Sequence, residues 1–238
     1  MKVIVIIPAA GLGTRMAPPS TSGKKSKQFT ELAGTPILIH TLRKFASSPA
    51  VSEIWVALRK SEIGEFRARL QKEGRDILQK KIELVEGGEH RQQSVANALA
   101  AISAGADDII LVHDAVRPFV TSETIREVIR AAEKYGAAIA GMPAVDTVKQ
   151  VDRTAEGALI TATVPRERVV MAQTPQGFRY SVLKKAFDEA AADGFLGTDE
   201  ASLVERSGKE VAVVMGSPRN IKITTPADME LAEFYLKD

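Results

Sequence analysis

The chain has no cysteine at all, which excludes disulfides, thiol nucleophiles and thiolate metal sites and fits a reducing compartment. Histidine is scarce too. His113 beside Asp114 suggests a metal-dependent phosphohydrolase, but such a site needs several further histidine ligands, and of the three histidines only His40 and His90 are left. His40 falls within a helical stretch. No long apolar run occurs: the N-terminal MKVIVII turns into a glycine loop after about six apolar residues, too short for a signal h-region or a membrane span. Charge of one sign is not in excess either, with 32 Lys plus Arg against 30 Asp plus Glu. No global field calls for nucleic acid, so local clusters must carry any anion binding. A cytoplasmic protein with neither a nucleic-acid nor a membrane partner is the expectation.

Two familiar nucleotide loops are also missing. The dinucleotide fingerprint Gly-x-Gly-x-x-Gly would need glycine where Met16 stands, and the P-loop spacing fails because Gly23-Lys24 is followed by Lys25 and position 18 is proline. A dehydrogenase or a P-loop ATPase is disfavoured. There is no internal repeat, low-complexity tract or linker.

What is present is a regular alternation. Short apolar runs (VIVII at 3 to 7, EIWVAL at 53 to 58, KIELVEGG, DIILVHD at 108 to 114, AAIAGMP at 137 to 143) alternate with segments of helical periodicity. The helices are expected near Pro36 to Ser47, over SEIGEFRARLQKE, from about Arg91 with Val95, Leu99 and Ile102 on one face, and from Ser122 to Tyr135. Strand and helix at this spacing predict a three-layer α/β fold, a mostly parallel twisted sheet covered on both faces, with ligands outside the carboxyl ends of the strands. Between Ala144 and Val169 the pattern breaks: DTVKQVD and ALITATV flank TAEG with no helix to cover them, which reads as a hairpin arm leaving the body. The α/β pattern then returns through VVMAQTP, a helix near Tyr180 to Ala192, a TDEASLVERSG helix ended by Gly208, the strand EVAVVMG, and NIKITT. Thr225, Pro226 and Asp228 read as N-cap, N1 and N3 of a last helix. With 238 residues and 45% hydrophobic content, against about 150 residues per domain, the expectation is one domain over 1–238 with an arm at about 144–166. Trp55, in an apolar strand, is expected in the core.

The stretch PAAGLGTRMAPPSTSGKKSKQF at 8 to 29 leaves the first strand through Gly-x-Gly. Glycines there let backbone N–H groups approach an anion closely, so phosphate is the expected guest. The loop is long enough to fold over a triphosphate, and Gly11, Gly13, Arg15 and Lys27 are its functional candidates, whereas Lys24 and Lys25 read as a solvated basic turn.

Taken in order, AAGLGTRM with SKQF, GGEHRQQSV (87 to 95), VHDAVRPF (112 to 119), DTVK (146 to 149), TPQGF (174 to 178), TDEASLVE (198 to 205) and NIKITTPAD (220 to 228) cover nearly the whole chain. They resemble the 2-C-methyl-D-erythritol 4-phosphate cytidylyltransferase family of the non-mevalonate isoprenoid pathway, a Rossmann-like nucleotidyltransferase fold. Two departures stand out: the loop between Arg15 and Lys27 is longer, and Ser26 occupies the family's usual proline position. The resemblance implies that Ala9, Ala10, Gly11 and Gly13 bind CTP, that Arg15 and Lys27 contact the triphosphate, and that Lys27 stabilises the transition state. It implies a cytosine pocket at Gly88, Glu89 and Ser94, and Asp114 near Mg²⁺ and the sugar hydroxyls. Thr198 and Lys222 match contacts to the sugar phosphate and the α-phosphate. Arg117, Thr147 and Arg166 match the site for the sugar-alcohol phosphate, the last two reaching it from the partner's arm in a homodimer. Asp146 and Lys149 are as well read as hairpin surface.

The chemistry fits the composition. In a nucleotidyl transfer the attacking phosphate, with a second pKa of about 6, is already a nucleophile at neutral pH and needs no general base. The protein must instead overcome repulsion between anions, which takes positioned Lys, Arg, backbone N–H and a divalent metal. The near alternative is a ribitol 5-phosphate cytidylyltransferase; Thr198 to Ser202, Lys149 after Val148, and alanine at position 10 favour the methylerythritol family. A non-catalytic nucleotide-binding protein of the same fold is the alternative of another class, and intact Lys27, Asp114 and Lys222 weigh against it.

Overall fold

A computed structural model describes residues 1–11 and 26–237; Gly13 and Arg15 lie outside the described residues. In chain order the elements begin with β1 (Val3–Pro8), the short ribbon β2 (Glu31–Leu32) and β3 (Thr35–Pro36), α1 (Ile37–Ala46), β4 (Glu53–Leu58), α2 (Lys60–Glu73), β5 (Lys81–Glu86), α3 (Arg91–Ala101) and β6 (Ile109–Val112). Then come α4 (Ser122–Tyr135), β7 (Ala137–Pro143), the arm strands β8 (Val148–Thr154) and β9 (Gly157–Val164), β10 (Val170–Arg179), α5 (Tyr180–Ala192), α6 (Glu200–Arg206), β11 (Ala212–Met215) and α7 (Pro226–Tyr235).

Among the described residues seven strands form one sheet in the order β11-β7-β10-β6-β1-β4-β5, in which only β10 runs antiparallel to its neighbours. The first strand shows why its sequence is apolar without alternation. Val3, Val5 and Ile7 face a cluster with Leu38 and Leu42 of α1, Phe66 of α2 and Val128 of α4, while Ile4 and Ile6 face Val95 and Leu99 of α3, Leu183 of α5 and Leu203 of α6. A strand buried on both faces requires apolar side chains in both directions. The helices keep one apolar stripe each. In α4, Ile125, Val128, Ile129 and Ala132 are buried, Thr121 caps the start by accepting the Thr124 N–H, and Gly136 at φ +88° ends it. Thr225 and Asp228 form a capping box at the start of α7, with Pro226 in the first turn.

Register aligns one rim of the sheet. Pro8 lies beside Ala57, Leu58 beside Glu86 and Ile6 beside Val112, so the chain leaves β1, β4, β5 and β6 along the same edge. From β1 the order runs to β4 and β5 on one side and, after α3, returns to β6 on the other. That reversal is the switch point at which open α/β sheets leave a crevice.

Two expectations need correction. Trp55 packs against the cluster that includes Ile4 and Ile6 but is only half-buried, with the Lys81 ammonium 5.5 Å from its ring centroid, because the neighbouring β5 is the edge strand of the sheet. NIKITT joins no strand among the described residues; Ile223 N–H instead bonds the Val116 carbonyl, 2.9 Å, laying this stretch against the loop after β6. The arm, β8 and β9, is a two-stranded ribbon apart from the main sheet, with Leu159 at 67% and Ile160 at 65% exposure.

Candidate active site

The rim opens into a cleft of about 210 Å³ lined by the end of β1, the loops after β5 and β6, and Lys222. Each wall follows from local chemistry. On the β5 side, Gly87 packs so closely that a Cβ there would lie 2.5 Å from the Ala10 Cβ and 3.0 Å from the Ser94 Oγ. Glycine is required for this approach. Ser94, buried in α3, accepts the Gly88 N–H at 3.1 Å and donates to the His90 carbonyl at 3.1 Å. The Glu89 N–H is taken by Gln93 Oε1 at 3.0 Å. The turn after β5 is thereby fixed from its own helix, a small pocket edged by backbone groups and one hydroxyl. Across the cleft Lys27 opens a short 3₁₀ turn, Lys27–Phe29, and the buried Gln28 side-chain amide donates to the Ala9 carbonyl, tying that turn to the end of β1.

The floor is Asp114, 7% exposed, directly after β6. Its Oδ1 lies 3.3 Å from Arg91 Nε, and its Oδ2 lies 3.2 Å from Arg117 Nε and 2.9 Å from Lys222 Nζ. Burial by itself would push the carboxyl up; Arg91, Lys222 and Arg117 together outweigh burial and hold it far below the usual carboxylate range. Arg91 also spans to Glu200, its Nη1 at 2.6 and 2.8 Å from the two carboxylate oxygens. Burial pushes Glu200 up against the pull of that guanidinium, while Glu200 and Asp114 outweigh burial at Arg91 and hold it firmly protonated. Three cations meet two carboxylates, leaving the cluster one positive charge in excess where an anion would enter.

His113 serves structure here. Its Nε2 lies 3.0 Å from the Arg117 carbonyl, which only accepts, so Nε2 carries the proton. Burial lowers its pKa to about 4, leaving Nδ1 bare to accept from the Thr174 hydroxyl at 3.0 Å, and the same Oγ1 accepts the Asp114 N–H at 3.1 Å. Asn220 closes the frame: its carbonyl takes Arg117 Nη1 at 2.7 Å, and its amide donates to the Thr174 carbonyl at 2.8 Å. Lys222, two residues on, is positioned by these bonds.

Of the residues singled out from sequence, Ala9, Ala10, Gly11, Lys27, Gly88, Glu89, Ser94, Asp114 and Lys222 line this one cleft. Arg117 stands behind Asp114. Thr198 is exposed in the turn before α6, beside the capping residue Asp199. Thr147 and Arg166 are exposed at the base of the arm, Arg166 donating to the Val145 carbonyl at 2.8 Å, away from the cleft of their own chain. Sequence reasoning missed Arg91, Glu200, Gln28, Thr174 and Asn220 as site residues. Arg91 and Glu200 both sit inside quoted motifs, but a pair 109 positions apart leaves no local spacing to read.

Among the described residues no group of three or more His, Asp or Glu is arranged to hold a metal. A single carboxylate on the floor of a basic cleft would suit only a divalent cation such as Mg²⁺ that brings phosphate ligands of its own. Asp114 is the residue that would meet it.

A family model described as 2-C-methyl-D-erythritol 4-phosphate cytidylyltransferase (IspD) matches residues 3–238. The enzyme of that name from Acidobacterium capsulatum is 60% identical over 237 residues, covering 100% of this chain and 98% of the relative. Its counterpart from Solibacter usitatus is 51% identical over 243 residues, covering 100% and 97%. The crystal structure of 4-diphosphocytidyl-2C-methyl-D-erythritol synthase from Anaerococcus prevotii superposes with a TM-score of 0.83 at 30% identity, covering 100% of this chain and 99% of that one.

Proposed function

On the premise that the chain belongs to the 2-C-methyl-D-erythritol 4-phosphate cytidylyltransferase family, we propose that the cleft around Asp114 is where its reaction takes place. The protein transfers CMP from CTP to 2-C-methyl-D-erythritol 4-phosphate, giving 4-diphosphocytidyl-2-C-methyl-D-erythritol and pyrophosphate. The relatives from Acidobacterium capsulatum and Solibacter usitatus both carry the methylerythritol name, so the ribitol 5-phosphate alternative is set aside.

One observation carries the site reading: a carboxylate under three cations faces a glycine-walled pocket across the switch point of the sheet. The sugar phosphate attacks the α-phosphate in line as a dianion, so no residue has to take a proton from it. Lys27 and Lys222, with Arg15 from the glycine-rich loop, meet the charge that develops on the α-phosphate and the leaving pyrophosphate. Ala10 and Gly11, with Gly13 further along the same loop, are assigned to the triphosphate; the Ala9 N–H is held by the Ala57 carbonyl at 2.7 Å, so Ala9 only shapes the wall. Gly88, Glu89 and Ser94 read the cytosine edge, where the short turn leaves little room for a purine. Arg117 holds Asp114 and lies toward the sugar-phosphate end, with Thr198 further out. Mg²⁺, held by Asp114 and the triphosphate, would screen the negative charge.

The arm supports a homodimer. A two-stranded ribbon is marginal in water, and exposed Val151, Leu159 and Ile160 on it call for cover. With a second copy of the chain as that cover, Thr147 and Arg166 would complete the sugar-phosphate site of the partner. A cytoplasmic setting belongs to the same reading: no helix among the described residues is long and apolar enough to cross a membrane, and cysteine is absent. Pyrophosphate release, measured with four nucleoside triphosphates against methylerythritol phosphate, ribitol 5-phosphate and a hexose 1-phosphate, tests substrate choice. Turnover is expected with CTP and methylerythritol phosphate alone; equal rates with ATP or ribitol 5-phosphate would contradict the pocket assignment.

A further inference from the structure

Glu200 is a fully buried carboxylate that does not itself line the cleft. It opens α6 directly after the capping residue Asp199, and its side chain is 1% exposed. A charge at such depth is a poor source of stability, since an apolar residue of similar size does as well or better. Its value must lie in what it orients. Both of its oxygens are taken by one nitrogen of Arg91, at 2.6 and 2.8 Å, whereas Arg91 gives Asp114 only Nε, at a longer 3.3 Å. Glu200 therefore has the stronger hold on a guanidinium that lines the cleft.

We propose that Glu200 is a positioning residue for CMP transfer: by anchoring Arg91 it keeps that guanidinium from closing on Asp114 with two N–H groups. Arginine forks onto carboxylates readily when both of its edges are available. Anchored from behind, Arg91 touches Asp114 only at Oδ1, through a single N–H at 3.3 Å, while Arg117 and Lys222 occupy Oδ2; Oδ1 is thereby the oxygen left with room for the divalent cation that comes with the triphosphate. Loss of the anchor releases Arg91 onto Asp114 and sets the two cations in competition. The inference rests on Asp114 being the metal-facing carboxylate, as argued above.

The test compares Glu200→Gln, Arg91→Lys and the double variant, with Asp114→Asn as control, at a temperature where circular dichroism shows each to be folded. The half-saturating Mg²⁺ for pyrophosphate release and the affinity for CTP by calorimetry, with Mg²⁺ and in chelator, are the readouts. Glu200→Gln is expected to raise the half-saturating Mg²⁺ roughly 10- to 100-fold, the usual range for residues behind a metal ligand. CTP binding should weaken with Mg²⁺ present and not in chelator. Because lysine cannot fork onto Asp114, the double variant should need no more Mg²⁺ than Arg91→Lys alone. A Glu200→Gln requirement within twofold of the parent, equal weakening with and without Mg²⁺, or additive losses in the double variant would overturn the proposal. Should Glu200→Gln not fold, Glu200→Asp replaces it: the shorter side chain keeps the charge and loosens the grip, so its Mg²⁺ requirement should rise by less than tenfold but by more than twofold, and no rise is a refutation. Unchanged Mg²⁺ dependence in Asp114→Asn would instead remove the site assignment on which the inference stands.

Discussion

Lys222 Nζ sits 2.9 Å from Asp114 Oδ2, and the lysine side chain is 36% exposed while the carboxylate's is 9%. A part-exposed cation thus rests on a buried anion at the floor of the cleft. When a phosphate enters, the ammonium can turn toward it while Arg91 and Arg117 retain Asp114, so the carboxylate never lacks a partner.

As the hub of three cations, Asp114 is expected to matter for stability as well as for the proposed reaction. Asp114→Asn should abolish most Mg²⁺-dependent turnover and also cost on the order of 3 kcal/mol in urea unfolding, because Arg91 and Arg117 lose their buried counter-charge. An unfolding midpoint equal to the parent's would show that the cluster is not coupled as described.

His113 sets an acid limit. The unfolded chain protonates this residue near 6.5 and the folded chain only at about 4, so stability is full above pH 6.5 and falls as the pH drops toward 4. The span corresponds to about 3 kcal/mol. Urea titrations between pH 4 and 7 should show this slope in the parent and a clearly shallower one in His113→Asn, the remainder coming from groups such as His40, which burial also lowers; the same slope in the variant would assign it elsewhere.

Gly87→Ala offers a steric test of the nucleotide pocket. The added Cβ meets the Ala10 Cβ at 2.5 Å and the Ser94 Oγ at 3.0 Å, neither on a flexible side chain, so the walls must part. The KM for CTP should rise about tenfold or more while the melting temperature falls. In Ser94→Ala the half-buried Gly88 N–H loses its acceptor, at a cost of about 0.5–1.5 kcal/mol. Steady-state kinetics with CTP varied checks both, and an unchanged KM in either would place the base elsewhere.

The layers, the sheet and the arm were legible in the sequence because each rests on a local pattern. VIVII needs cover on both faces, TAEG joins two strands with no helix beside them, and Thr225 to Asp228 spells a helix start. The cleft was half legible, since Gly88 and Asp114 follow the ends of β5 and β6, and Ser94 and Lys222 stand in short motifs. Arg91, Glu200 and Asn220 were not, because their roles come from side chains brought together across the fold by burial. NIKITT reads as extended from its alternation, yet it contributes Lys222 by lying against the Val116 carbonyl and not by joining the sheet.

If the arm completes the partner's site, a heterodimer of Arg166→Ala and Lys27→Ala chains collects both lesions in one site and none in the other. Mixing the two inactive homodimers after partial dissociation should then restore up to about half of the parent's activity per heterodimer, by the two-fold symmetry of such an interface. No recovery, with subunit exchange verified by native mass spectrometry, would mean that each chain supplies its own Arg166.

The central claim is that CMP transfer occurs where Lys222 and Asp114 meet. Single-turnover formation of 4-diphosphocytidyl-2-C-methyl-D-erythritol by Lys222→Ala, with CTP and methylerythritol phosphate both saturating, tests it most directly. A preorganised donor that acts on developing charge gives a loss of roughly 10²- to 10³-fold in the chemical step, with CTP affinity little changed. A parental single-turnover rate, with any deficit confined to KM, would contradict the account.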